Sequence, residues 1–323
     1  MCFEGVLRGV LFDTMILFTS NKSLQRAENV RAVFEACRMD KAFLRSTPGV
    51  HNPDFASPKY ALRVTDEFAG SSPGKMIMIG HAISGGKYYG LDQPHPYHSM
   101  RGASLLTWVI TSSPDMIPIV AHQSGVSESK VLALGVPRTD QYFSNRKGDG
   151  KTLTADKRVY LYAPTYRGGT DGGYAQISWK LIDRMLTDDE VLIVKPHMVT
   201  KTILRRPYRH IIEVSADVPS APYLIDCDVL VTDYSSILFD AHILEKPVVL
   251  FEKNVGYIQS RGMYLEYPYG YASRYCRTET ELVEMCRAAK EPQEADRRCR
   301  QLTASACDGH ATERVIKLIE ETI

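Results

Sequence analysis

Two neighbouring hydroxyls at the end of an apolar run carry the clearest chemical signal in this chain. Residues 228–240 read DVLVTDYSSILFD: a β-rich stretch, then Thr232-Asp233, then a tight turn with Tyr234, Ser235 and Ser236, then an apolar-periodic segment. The pattern is a strand feeding a helix whose first turn holds two serines. The unpaired N–H groups and partial positive charge of a helix N-terminus attract phosphate, and serine hydroxyls add donors on the same side. One reading is a phosphate cradle at the carboxyl end of a parallel strand, where open α/β sheets hold ligands. The other is an ordinary serine cap. Spacing alone leaves both open.

Other reactive side chains also follow apolar runs. In YAPTYRGG, Pro164 ends a strand, Thr165 and Arg167 follow it, and Gly168-Gly169 lets backbone approach a ligand. A guanidinium there could bind a diphosphate bidentately, or Arg167 is a surface residue of a loop. His197 in VKPHMV follows a strand and an X-Pro turn; it could donate to a phosphate oxygen or be structural. His81 in IMIGHAISGGKYYG sits between a buried strand and a glycine-rich turn. It is the strongest candidate for a general base, because histidine titrates near neutrality and can accept a hydroxyl proton. His95, His98 and His122 lack the strand-end context and read as surface or core residues. No helical HxxxH or paired-carboxylate cluster occurs, so no metal site and no cofactor are expected. GxGxxG and GxxxxGK[ST] are missing and no GxSxG elbow follows an expected strand, which weakens dinucleotide, P-loop and α/β-hydrolase readings.

The elements that must position these residues alternate. Strands are expected at 14–20, 76–79, 105–112, 159–163, 191–194, 229–232 and 247–251. Helices are expected at 25–38, 126–133, 179–186, 236–244, 279–289, 294–303 and 312–323. Such alternation argues for parallel sheets in α/β layers. SNRKGDGK at 144–151 is polar and glycine-containing, the best linker in the chain. The expected organisation is two facing Rossmann-like domains, residues 1–146 and 147–323, with the site in the cleft between them.

The chain has 323 residues, enough for two cores, with 44% hydrophobic and 24% charged residues. A net charge of +1 gives no reason to expect nucleic acid as a partner. The basic runs Arg205-Arg206 with Arg209-His210, and Arg297-Arg298 with Arg300, read as solvated faces or as a patch for anionic lipid or a phosphate-bearing acceptor. Seven cysteines without a CxxC pair fit buried thiols in a reducing compartment. The apolar stretch at 10–18 is broken by Asp13, is too short to span a bilayer and lacks the form of a signal peptide. The default location is cytoplasmic, with peripheral membrane contact open.

Taken in order, these blocks resemble the CDP-glycerol:poly(glycerophosphate) glycerophosphotransferase family, which makes teichoic acids and some capsular polymers. The blocks are ENVRAVFE (28–35), GHAISGGKYYGLD (80–92), LGVPRTD (134–140), LYAPTYRGG (161–169), KPH (195–197), VTDYSSILFDAHILEKPVVLF (231–251), RGMY (261–264) and DGHATERV (308–315). The resemblance implies a GT-B fold, with an acceptor-binding domain first and a CDP-donor-binding domain second. It implies transfer of glycerol phosphate from CDP-glycerol to an acceptor hydroxyl, releasing CMP. His81 matches the family's base. His197, Ser235, Ser236 and Asp240 match positions that hold the donor phosphates and glycerol, Thr165 and Arg167 match the APTxR block, and Thr232 opens the serine-bearing turn. Three departures stand out: Gly80-His81-Ala82 in place of tryptophan–histidine–glycine, Met198 where proline commonly follows the second histidine, and Pro268-Tyr269-Gly270 in place of proline–glycine. They bear on the acceptor and the polyol more than on phosphotransfer.

The acceptor class implied is a glycan or polymer, lipid-linked in the case that takes the enzyme to the inner membrane face. The length favours a single-transfer, primase-like enzyme or a compact capsule or glycan modifier. Two other readings compete: a GT-B transferase using CDP-ribitol or a nucleotide sugar, and a non-catalytic nucleotide-binding protein.

Overall fold

The computed structural model describes residues 15–46, 57, 59–66, 74–80, 83, 85–88, 105–144, 154, 156–166, 174–200, 202–253 and 262–323. His81 and Arg167, and the proposed linker beyond Ser144, lie outside the described residues. So do His95 and His98.

Two six-stranded parallel sheets form the frame. The first contains β1 (Met15–Ser20), β2 (Lys41–Arg45), β3 (Tyr60–Thr65), β4 (Lys75–Met78), β5 (Trp108–Thr111) and β6 (Val131–Ala133), in the order β2-β1-β3-β4-β5-β6. The second contains β7 (Arg158–Tyr162), β8 (Glu190–Val194), β9 (Ile211–Glu213), β10 (Val229–Thr232), β11 (Val248–Phe251) and β12 (Arg274–Cys276), in the order β12-β11-β10-β7-β8-β9. Every strand pair is parallel. The near-continuous apolar character of VLVT, VVLF and VLIV follows, because such strands are covered on both faces.

Strand order in each sheet reverses once, between β1 and β3 in the first and between β7 and β10 in the second. The loops that leave neighbouring strands at a reversal diverge to opposite faces and open a crevice at the carboxyl ends. Ser20 ends β1 and Lys22 follows it, Thr165 and Tyr166 follow β7, and Asp233 to Ser236 follow β10. Topology therefore points Thr165 and the serine turn at one crevice.

The helices are α1 (Glu28–Ala36), α2 (Ile117–Ser124), α3 (Trp179–Met185), α4 (Ala221–Asp226), α5 (Ile237–Ile243), α6 (Glu279–Ala288), α7 (Glu294–Ala304) and α8 (Ala311–Thr322). The segment 126–133, expected as a helix, is instead a short 3-10 turn, Glu128–Lys130, followed by β6. Its apolar residues suit either state in isolation. Backbone pairing of Val131 to Ala133 with Val109 to Thr111 decides for strand. The helix of that region, α2, lies just before it and stops at Gly125, which adopts φ 64°.

The chain crosses back at its end. Val315, Leu318 and Ile319 of α8 pack with Val30 and Val33 of α1 and with β1, β3 and β4, inside the first core rather than the second. Burying each such side chain is worth roughly 1.5–3 kcal/mol. The Asp140 carboxylate accepts the N–H groups of Ala311 and Thr312 at 3.0 and 2.7 Å, which satisfies donors that a helix start leaves unpaired. Gly135, at φ 86°, gives the room for this crossing: a Cβ there would stand 2.4 Å from the Ala306 carbonyl oxygen.

The six cysteines among the described residues are buried and free of disulfides. Burial pushes the thiols of Cys227, Cys276 and Cys299 up to about 12. No helix of the described residues is long and apolar enough to cross a membrane.

A buried carboxylate holds the outer layer of the second half. Glu190 accepts Arg287 Nε and an Arg287 terminal nitrogen at 2.8 and 2.7 Å, the Tyr160 hydroxyl at 2.7 Å and the Thr187 N–H at 3.0 Å. The hydrogen bonds from Arg287 hold its pKa down to about 2. A carboxylate depressed in the folded state stabilises above its unfolded value of 4.5, and that contribution fades as pH falls toward 2. Arg287 is 40% exposed, which screens the pair. Glu190→Gln is therefore expected to lower unfolding free energy by about 1–2 kcal/mol at pH 7. The difference should vanish on titrating urea melts to pH 2, and an equal loss at both pH values would refute this account.

Candidate functional site

Three strand ends of the second sheet meet at its crevice. The Thr165 N–H, one turn beyond β7, donates to Asp233 Oδ1, beyond β10, at 2.9 Å. This bond closes the floor between the two strands that flank the reversal. Thr165 is 6% exposed. Its carbonyl accepts the Tyr174 hydroxyl at 2.8 Å, while its own hydroxyl has no partner among the described residues. Tyr166 lays its ring against that of His197, beyond β8, with centroids 5.7 Å apart.

His197 is set up as a neutral donor. The Val199 N–H points to Nδ1 at 3.4 Å, which leaves the ring proton on Nε2. Burial is the main reason it titrates low, at about 4. The cations Lys87, Lys195 and Lys22 push it further down, and Asp233 pulls the other way. These four charges come from both halves of the molecule: Lys22 follows β1, Lys87 follows β4, and Lys195 and Asp233 belong to the second sheet. A cluster of three amines with one carboxylate presents positive potential to an anionic ligand. Lys87 also stands over the Tyr234 ring, 5.4 Å from its centroid. Lys195 is buried and donates to the carbonyls of Pro196 and Ala216 at 2.9 and 3.2 Å; burial lowers its pKa. Replacing Lys87 by methionine is expected to move His197 up toward the ordinary histidine range, read from its ring protons in an NMR titration. An unmoved titration would show that the amine is not electrically close.

Ser235 and Ser236 are half-buried at the start of α5, and neither hydroxyl bonds to a described residue. Ser236 takes helical angles, φ −64° and ψ −11°, so its side chain does not cap the helix. Of the two readings of this turn, the ordinary side-chain cap does not form. Thr232 and Asp240 are engaged within the protein. Thr232 is fully buried and donates to the Ala163 carbonyl at 2.6 Å, tying β10 to the end of β7. Asp240 forms a bidentate ion pair with Arg138 at 2.9 and 3.0 Å. His81 lies outside the described residues, but its flanks do not: Gly80 turns at φ 63° and Gly85 at φ 101°. Beyond them Lys87 pairs antiparallel with Met263 of the second half.

Sequence reasoning passed over Lys22, Lys87, Lys195 and Arg138. Lys87 and Lys195 stand inside the GGK and KPH blocks, and Arg138 stands inside LGVPRTD. Lys22 has only its place after the first strand to mark it. Beside His197 lies a cavity of about 460 Å³ lined by Met198 to Thr200 and Glu213 to Asp217. Among the described residues no group of three or more His, Cys, Asp and Glu side chains could hold a metal ion.

Residues 74–321 match the CDP-Glycerol:Poly(glycerophosphate) glycerophosphotransferase family. The chain belongs to that family. This glycerophosphotransferase-family chain is 28% identical over 267 residues to the teichoic acid poly(ribitol-phosphate) polymerase of Bacillus spizizenii, which covers 76% of this chain and 43% of that one. It is 27% identical over 223 residues to the teichoic acid glycerol-phosphate primase of Bacillus subtilis, covering 65% and 58%. It therefore spans about half the length of these relatives. Among solved structures, a variant of the wall teichoic acid polymerase TagF soaked with CDPG superposes with a TM-score of 0.77 at 19% identity, over 96% of this chain and 89% of that one. The fold is GT-B, as the block order implies.

Proposed function

We propose that this family member transfers glycerol phosphate from CDP-glycerol to a hydroxyl of a teichoic-acid-like polymer or glycan acceptor, releasing CMP. The observation that carries the reading is the cationic crevice around neutral His197, built from three strand ends of the second half and reached by Lys22 and Lys87 of the first. It supplies what a pyrophosphate needs: positive charge, a donor at Nε2, and two uncommitted serine hydroxyls on the turn after β10. The neighbouring cavity has the volume for a nucleoside. The names of the relatives and the CDPG soak of the TagF variant support the same donor class.

In the proposed mechanism the acceptor oxygen attacks the β-phosphorus of the donor in line. His81 takes the acceptor proton. His197, Arg167, Thr165, Ser235 and Ser236 stabilise charge on the phosphates, and the bond to the CMP oxygen breaks. The division of labour is acceptor binding by residues 1–146 and donor binding by 147–323, with α8 returning to the first core. The transfer itself calls on no metal or cofactor. A lipid-linked acceptor would bring the protein to the inner membrane face.

A ribitol donor is the second reading, favoured by the match to the Bacillus spizizenii ribitol-phosphate polymerase. A donor screen separates the readings. CDP-glycerol, CDP-ribitol and several nucleotide sugars are offered with a polymer acceptor, and nucleoside monophosphate release is followed. Release with CDP-glycerol above all others is expected; release only with another donor overturns it, and none with any donor returns the non-catalytic reading.

A further inference from the structure

Gly80 and Gly85, which flank His81 in the chain, are each anchored, and both anchors lead to α5. At the first end Asn29 of α1 donates its amide to the Gly80 carbonyl at 2.9 Å. The same side chain accepts the Arg138 N–H at 3.0 Å. Arg138 then reaches out of the first half to the bidentate pair with Asp240 of α5, with side chains only 9% and 6% exposed. At the second end the Tyr271 hydroxyl donates to the Gly85 carbonyl at 2.9 Å, with the Gly86 carbonyl at 3.3 Å, and accepts the Leu265 N–H at 2.9 Å. Tyr271 in turn rests on α5: its ring faces Phe239 at 6.2 Å between centroids, and its carbonyl accepts His242 Nε2 at 2.7 Å.

A backbone clasp continues the second anchor. The Tyr88 N–H donates to the Gly262 carbonyl at 3.2 Å and the Tyr264 N–H to the Gly86 carbonyl at 3.1 Å. Gly262 lies at φ 77°, and a Cβ there would meet the Tyr88 ring at 2.2 Å. Glycine is required for this approach. Apart from the Leu265–Tyr271 bond, none of these contacts is between residues near in sequence, and each joins the first half to the second or bridges to one that does. A buried ion pair contributes little net stability against an apolar alternative, but it can fix a register.

We propose that Arg138, Asp240 and Tyr271 are positioning residues, which hold Gly80 and Gly85, the described residues on either side of His81, in register with the helix that starts after Ser235 and Ser236. Asp240 thereby acts across the cleft on the acceptor side rather than on the donor. This rests on the proposed role of His81. A misplacement of about 1 Å at a reacting group can cost about a hundredfold in rate.

Tyr271→Phe keeps the ring and removes the hydroxyl, while Asp240→Asn keeps the shape and removes the charge. Both are made in the full chain and compared with the unaltered protein. Three quantities are read: amide hydrogen exchange over 80–88 without ligand, CDP-glycerol affinity by calorimetry, and kcat and KM for CMP release. Exchange over 80–88 is expected to rise roughly fivefold in Tyr271→Phe, the loss of one hydrogen bond, with β10 unchanged. The kcat should fall about a hundredfold with donor Kd altered by less than about twofold. Should Asp240→Asn fail to fold, Tyr271→Phe decides alone. Unchanged exchange over 80–88 in Tyr271→Phe overturns the proposal, and so does a loss of donor affinity that accounts for the fall in rate. If the unaltered protein neither binds CDP-glycerol nor releases CMP, the functional reading fails instead, and the exchange arm still decides whether the segment is held from α5.

Discussion

Replacing His81 by alanine is expected to lower transfer by about 10²–10⁴-fold, the usual worth of a general base, while CDP-glycerol still binds. The separation follows from where the charges sit. The amines of Lys87, Lys195 and Lys22 act electrostatically on His197, and the serines follow β10, so a donor diphosphate bound there meets groups that survive the substitution. The acceptor hydroxyl is left without a proton acceptor. Single-turnover CMP release and calorimetry with CDP-glycerol check both halves of this expectation. Near-normal turnover would remove His81 from the role of base. Lost donor affinity would place it on the diphosphate.

The second large effect is on stability, and it is asymmetric. Asp240→Ala leaves the Arg138 guanidinium buried without its ion-pair partner. Burial alone would disfavour that charge, but Asp240, Tyr142 and Glu28 outweigh it and hold Arg138 well above its ordinary value. A guanidinium cannot shed its proton at any pH the protein meets. Breaking a buried pair in this way costs about 3–5 kcal/mol, and the loss should be flat from pH 5 to pH 8. Arg138→Met strands the carboxylate instead. Burial already pushes Asp240 above the usual carboxylate range, against the pull of Arg138, and losing the partner raises it further. A carboxyl whose folded pKa lies above its unfolded value binds a proton more tightly when folded. Its penalty is absent at low pH and grows as pH rises through the folded value. Arg138→Met should therefore be mild in acid and costly at pH 8. Urea denaturation of both variants across that range tests the contrast. Equal pH profiles would mean that the pair is hydrated and not sealed.

Much of the frame is legible in the chain. The runs VLVT, VVLF and VLIV can be little else than covered parallel strands, since each exceeds the apolar alternation of a half-exposed sheet. The serine turn after β10 reads as a helix start because hydroxyl, turn and apolar period coincide. The blocks containing His81, Thr165, His197 and Ser235-Ser236 stand at or beyond strand ends, and their order matches one family. Short elements were harder. β9 and β12 have three residues each, too few for a period, and depend on the neighbours they pair with. The segment 126–133 shows the same limit, since its apolar residues fit a helix until β5 offers them backbone partners.

Tertiary structure alone decides which distant side chains share an environment. Arg138 and Asp240 lie 102 residues apart, and neither has a local feature that predicts the other. Lys22 becomes part of the crevice only because β1 ends where its sheet reverses. The last helix carries an amphipathic pattern that says it will bury a face, but not against which half, because the free energy of burial depends on area and not on the partner's identity. Local sequence thus set the elements and the reactive groups. The register between the two halves came from pairings over long separations, where packing and charge compensation, not propensity, choose the partner.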